Sequence, residues 1–109
     1  MNRSLLFVYG TLKSDSEHPM AVCLRTQGRF VSPGWVLGRK HHLGAYPGLT
    51  QRPGEQDRVD GEVYEVAPPL LAILDQYEGD EFAREELAVQ TVGGDRLAWC
   101  YLYRGRRLP

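Results

Sequence analysis

Pro68-Pro69-Leu70-Leu71-Ala72-Ile73-Leu74-Asp75-Gln76-Tyr77-Glu78-Gly79, and the two apolar runs Leu87–Val92 and Leu97–Tyr103 that follow it, decide the fold class. Two prolines open a helix, because the first turn of a helix needs no amide donors and welcomes a fixed φ. Leu70, Leu71, Ile73, Leu74 and Tyr77 then fall on one continuous apolar stripe, and Gly79 closes the element. The two runs after it are separated by Gly93-Gly94-Asp95 and read as a β-hairpin with a short glycine turn. Helices and strands therefore do not alternate regularly, which argues against a doubly wound parallel sheet.

Working outward, Val59-Asp60-Gly61-Glu62-Val63-Tyr64-Glu65-Val66 partly alternates apolar and polar residues, as a half-buried strand does. Residues 30–43 predict one bent strand or two short ones, interrupted at Pro33-Gly34. Gly44-Ala45-Tyr46-Pro47-Gly48 reads as a turn-rich loop. Leu5-Leu6-Phe7-Val8-Tyr9 is a strand buried on both faces, and Pro19 to Gly28 a short helix. The sum is an α+β fold, a small mixed barrel-like sheet of six to seven strands with two short helices, in one domain over residues 1–109.

Composition narrows the function. The 109 residues are 42% hydrophobic and 25% charged, as in an ordinary globular chain. Thirteen basic residues face fourteen acidic ones, for a net charge of −1, and the basic cluster is confined to Arg104, Arg106 and Arg107. A nucleic-acid partner is not expected. The apolar run at Leu5–Tyr9 is far short of the ~20 residues of a membrane span. It is also too short for a signal peptide, so the expectation is a cytoplasmic chain with no membrane partner. Cys23 and Cys100 are far apart and read as buried reduced thiols. Adjacent His41 and His42 point to opposite sides of a strand and make a poor metal pair. Neither a metal nor a cofactor is expected, and no feature sets the oligomeric state.

Two segments carry candidate chemistry. In Phe7-Val8-Tyr9-Gly10-Thr11-Leu12-Lys13 a buried strand ends at a glycine, which permits close backbone approach to a ligand and a positive φ. Successive N–H groups at such a turn can form a nest for a carboxylate or an oxyanion. In the second segment, Glu78 sits at the C-terminal, negative end of the helix dipole beside Leu74, Tyr77 and Phe82. Dipole and desolvation both disfavour its charged form, which is how a glutamate becomes an acid/base near neutral pH. Tyr46 is a candidate pocket wall. Arg84 is a candidate partner for a substrate carboxylate or for nearby acids, and Tyr101 and Tyr103, on one face of the last strand, are candidate hydroxyls in the cavity.

Together and in this order, these segments resemble the gamma-glutamylcyclotransferase-like superfamily. Tyr9-Gly10-Thr11-Leu12 is similar to its Y-G-[ST]-[LN] strand end, and Leu74-Asp75-Gln76-Tyr77-Glu78-Gly79 to its [LI]-D-x-[YF]-E-G helix end. Tyr46-Pro47-Gly48 resembles its Y-P-[AG] loop, and Val59–Tyr64 its V-x-G-E-[VL]-[YW] strand. Phe82 and Arg84 stand where the family has Y-x-R, with Phe for the usual Tyr. The Y-G-T-L form is closer to the gamma-glutamylamine cyclotransferase and avirulence-induced-gene-type branch. The resemblance implies a cavity-bearing barrel and a metal-independent enzyme acting on a small gamma-glutamyl substrate. In that reaction the α-amine attacks its own side-chain amide, releasing 5-oxoproline and a free amine. It implies Glu78 as the acid/base and Tyr9, Gly10, Thr11 and Leu12 as the holder of the glutamyl group. A non-catalytic module binding a small molecule in the same cavity is the alternative.

Overall fold

Successive side chains of a strand point to opposite faces, and the strand Ser4–Val8 (β1) is apolar on both. Phe7, with Tyr9 just beyond the strand, faces one apolar cluster, together with Val36, Leu49, Val63, Val89 and Cys100. Leu6 and Val8 face a second cluster, made with Leu24, Tyr64, Leu70, Leu71, Leu74 and Tyr101. The first is the inside of a barrel and the second the layer beneath two helices. The computed structural model describes residues 3–10, 12–13, 15–44 and 46–105.

The elements that follow β1 are α1 (Pro19–Gln27), β2 (Arg29–His42), β3 (Pro47–Thr50), β4 (Asp57–Val66), α2 (Pro68–Glu78), β5 (Phe82–Thr91) and β6 (Gly94–Tyr103). The sheet runs β1-β4-β2-β3-β6-β5, and a parallel pairing of Leu6 with Trp99 joins β1 to β6. Five strands, β1-β4-β2-β3-β6, thus close a barrel, and β5 forms a hairpin with β6 that also touches β2 at Trp35 and Gln90. Closure leaves fewer unpaired edges than an open sheet of this size. The α+β barrel with two short helices matches the expectation.

Several local expectations are corrected. Residues 47–50 are strand β3, not loop; β3 pairs with Arg39–His42 of β2 on one side and with Leu102 of β6 on the other. Residues 29–42 are a single strand, the first of the two expected forms, but its irregularity lies between Phe30 and Ser32 and not at Pro33-Gly34. The hairpin pairs Thr91 with Gly94, so its turn is Val92-Gly93, one residue earlier than expected. The buried stripe of α2 is Leu70, Leu71 and Leu74 only, while Ile73 and Tyr77 are 46% and 40% exposed. Cys100 is buried but Cys23 only partly so. His41 bonds Thr50 Oγ1 at 2.9 Å, whereas His42 is exposed. Among the described residues no helix is long and apolar enough to cross a membrane.

Candidate active site

Where β1 ends, its chain turns into a cavity of about 290 Å³. The turn is closed by the Lys13 amide donating to the Gly10 carbonyl at 3.1 Å. Gly10 has no positive φ. Its requirement is steric: a Cβ there would lie 2.5 Å from Pro47 Cγ and 3.1 Å from Cδ. The close approach expected of this glycine is therefore made to Pro47, and it draws the Tyr46-Pro47 wall against the β1 turn.

Tyr9, Gly10, Leu12, Tyr46 and Glu78 all line this cavity, although they come from three separate stretches of the chain. Phe7, Val8, Pro47, Tyr77, Phe82 and Tyr101 complete its described lining. Thr11, the remaining member of the expected glutamyl holder, lies outside the described residues, as do Arg106 and Arg107.

Glu78 is the last residue of α2. Gly79 ends the helix with φ +75°, and its amide donates to the Asp75 carbonyl at 3.2 Å. That left-handed conformation suits glycine and stops the helix with Glu78 at its rim. Burial pushes the Glu78 carboxyl up to about 7. No hydrogen-bond or ion-pair partner among the described residues offsets that desolvation. Its charge reaches Tyr9, Cys100 and Tyr101, each of which is raised chiefly by its own burial and further by Glu78. The carboxyl is thus poised to take or give a proton at neutral pH, in a cavity whose described lining holds no lysine or arginine.

The tyrosine hydroxyls are mostly committed to the protein. Tyr9 donates to the Tyr101 carbonyl at 2.7 Å and accepts the Leu49 amide at 3.0 Å, so it ties β1, β3 and β6 together inside the core. Tyr101 donates to Asp75 Oδ1 at 2.7 Å. Tyr46 donates to Glu81 Oε1 at 2.7 Å.

Two expected residues do not line the cavity. Arg84 grips Asp75 through Nε and Nη2 (2.8 and 3.2 Å) and lies 4.6 Å from the Trp99 ring centroid. A planar guanidinium satisfied by a carboxylate and a ring face has little reason to reach further. Tyr103 packs edge-on against Phe82, a lining residue, at 5.6 Å, and its hydroxyl lies 3.5 Å from Glu81 Oε2. Tyr101, the other tyrosine of that strand face expected at a cavity, does line this one, and Asp75, Tyr77 and Glu81 are the residues that sequence reasoning left out. Asp75 and Tyr77 belong to the same helix-end motif as Glu78, the one signal that pointed to them. Among the described residues no three His, Cys, Asp or Glu side chains group closely enough to hold a metal.

The family pattern described as "Gamma-glutamyl cyclotransferase, AIG2-like" matches residues 6–109. The chain belongs to the gamma-glutamyl cyclotransferase, AIG2-like family. Among its relatives, the gamma-glutamylaminecyclotransferase of Bos taurus is 33% identical over 116 residues, covering 95% of this chain and 67% of the relative. The gamma-L-glutamyl-butirosin B gamma-glutamyl cyclotransferase of Niallia circulans is 32% identical, covering 90% and 65%. The crystal structure of an AIG2-like protein from Mus musculus superimposes with a TM-score of 0.86 at 25% identity, covering 98% of this chain and 82% of that one. Membership in this cyclotransferase family accounts for the closed five-strand barrel and gives its cavity a chemical context.

Proposed function

We propose that this chain is a gamma-glutamyl cyclotransferase that releases 5-oxoproline and a free amine from a small gamma-glutamyl amine or amide. One observation carries the reading: the Glu78 carboxyl, raised to about 7 by burial, shares a cavity with the Tyr9-Gly10 turn. The substrate supplies its own nucleophile, so the protein has to fold it, move a proton and stabilise charge. The ionised Glu78 accepts a proton from the substrate α-ammonium. The freed amine attacks the side-chain amide carbonyl, closing a five-membered ring and placing negative charge on the carbonyl oxygen. Backbone amides at the β1 turn are the donors for that oxygen, with the Lys13 amide already spent inside the turn. Glu78 returns the proton to the leaving nitrogen, the C–N bond breaks and the carbonyl re-forms; Glu78 then takes the second proton from the ring nitrogen, giving 5-oxoproline, and passes it to the released amine, which departs as an ammonium ion. Tyr9 serves through its position in the core, and Tyr46 and Leu12 as walls.

The test is a panel of gamma-glutamyl amines, amino acids and amides, with 5-oxoproline as the measured product. Turnover of at least one member by the wild-type chain, lost by on the order of a hundredfold or more in Glu78→Gln, is the expected result. Full activity in Glu78→Gln overturns the mechanism. Saturable binding with no turnover across the panel overturns the enzyme and favours a binding module.

A further inference from the structure

Among the four tyrosines that line the cavity, three spend their hydroxyl protons on the protein, at the Tyr101 carbonyl, Glu81 and Asp75. Tyr77 does not, and the reason lies in a helix cap on the other side of it. His18 caps α1, its Nδ1 accepting the Met20 amide at 3.1 Å. A nitrogen that accepts carries a lone pair, so the single proton of a neutral imidazole sits on Nε2. Nε2 lies 3.0 Å from the Tyr77 hydroxyl, with the two rings edge-to-face at 5.1 Å. The imidazole is therefore the donor and the Tyr77 oxygen the acceptor. The proton of Tyr77 is left over, and no acceptor for it is found among the described residues.

Tyr77 lines the cavity, follows Gln76 and precedes Glu78 in the chain, and is 40% exposed. The cavity's described lining offers no cation to an anionic ligand, and Arg84 is held outside it by Asp75. Building on the cyclotransferase reading, we propose that the Tyr77 hydroxyl, oriented by His18, donates a hydrogen bond to the α-carboxylate of the bound gamma-glutamyl group. The placement follows from the chemistry. The α-ammonium must reach Glu78, and the α-carboxylate is attached to the same carbon, so it lies within a few bonds of the Glu78 carboxyl. Tyr77 then binds the substrate without taking part in proton transfer, and His18 is a positioning residue acting through it.

The experiment measures binding and turnover separately, with gamma-glutamyl methylamide and its counterpart whose α-carboxylate is an α-carboxamide. In calorimetry on the Glu78→Gln protein, adding Tyr77→Phe is expected to weaken the carboxylate ligand by roughly tenfold, the scale of a hydrogen bond to a charged group. The carboxamide ligand should weaken by about twofold or less. In the Glu78-containing chain, Tyr77→Phe should raise KM for the carboxylate substrate and leave kcat within about twofold. His18→Asn keeps a capping side chain but not the reach to Tyr77, and should reproduce part of the KM effect while thermal stability is held. An unchanged dissociation constant in Tyr77→Phe, or equal weakening of both ligands, overturns this inference while turnover by the wild type leaves the cyclotransferase reading intact. Failure of both ligands to bind overturns the two together, and binding without wild-type turnover overturns only the enzyme.

Discussion

Tyr101 donates its hydroxyl to Asp75 Oδ1 at 2.7 Å, and Arg84 closes on the same carboxylate from β5. The helix turn that carries Glu78 is thereby tied to both strands of the hairpin beside it. Burial alone would raise the Asp75 carboxyl, but the hydrogen bonds from Arg84 and Tyr101 and the Arg84 charge outweigh it and hold the group below its ordinary range.

Asp75→Ala is expected to lower stability by about 1 kcal/mol, a value kept small because the pair is partly exposed and screened by solvent. It should also reduce turnover, since the end of α2 is then held by packing alone. A group whose folded pKa is depressed stabilises the fold above its unfolded pKa, and that contribution is lost as pH falls through the folded value. The difference in melting temperature between the wild type and Asp75→Ala should therefore shrink below about pH 4. A difference that stays constant from pH 7 to pH 3 contradicts this account.

Glu78 has the opposite sign. Its folded pKa is raised to about 7 by burial, so its own contribution to stability is fully present below the unfolded value of about 4.3 and is lost as pH climbs through 7. Glu78→Gln removes that penalty. The variant is expected to be more stable than the wild type by about 3–4 kcal/mol at pH 8, with the gain vanishing near pH 4. Thermal melts at the two pH values check this, and equal stability at both defeats it.

The same ionisation should appear in catalysis. If the ionised carboxyl takes the first proton, kcat/KM rises with pH to a half-point near 7 and then levels until the next group titrates. A profile flat between pH 5.5 and 8.5 is incompatible with Glu78 as the base.

Gly10→Ala presses a Cβ into Pro47 and is expected to cost about 1–3 kcal/mol. Because the obstacle is the Pro47 ring and not a left-handed backbone, the double variant Gly10→Ala, Pro47→Ala should recover part of the loss. A double variant that is worse by the full sum of the singles would show the contact to be irrelevant.

Tyr9→Phe leaves the Leu49 amide and the Tyr101 carbonyl without their partner in the core. A loss of about 1–3 kcal/mol in denaturant unfolding is expected, with KM changed by about twofold or less in the surviving folded fraction. A large KM effect with unchanged stability would instead make the hydroxyl a ligand contact.

Much of the site could be read from local chemistry. Pro68, Pro69 and Gly79 bracket α2, so the placing of Glu78 at a helix end follows from a stretch of twelve residues. The β1 strand and its glycine turn are equally local. The short strand β3 was not legible, because Pro47-Gly48-Leu49-Thr50 has little strand character of its own. Its hydrogen bonds come from β2 and β6, and the latter lies about fifty residues away. Arg84 could not be assigned between its two expected partners, a substrate carboxylate and a nearby acid, for a related reason. A long flexible cation goes to the nearest well-oriented carboxylate, and the sequence did not show that Asp75 would be that group.

The order of apolar runs, turn residues and caps determined by itself the α+β class, the two helices and the position of Glu78 at the end of one of them. These depend on interactions within a few residues, whose rules the local sequence contains. Only the tertiary structure decided which tyrosines spend their hydroxyl protons inside the protein and which does not. Tyr9 meets the Tyr101 carbonyl 92 positions away, and Tyr77 meets His18 across 59. A hydrogen bond is directional and short, so a tyrosine becomes a staple or a donor for a ligand only when closure of the barrel sets its neighbours around it.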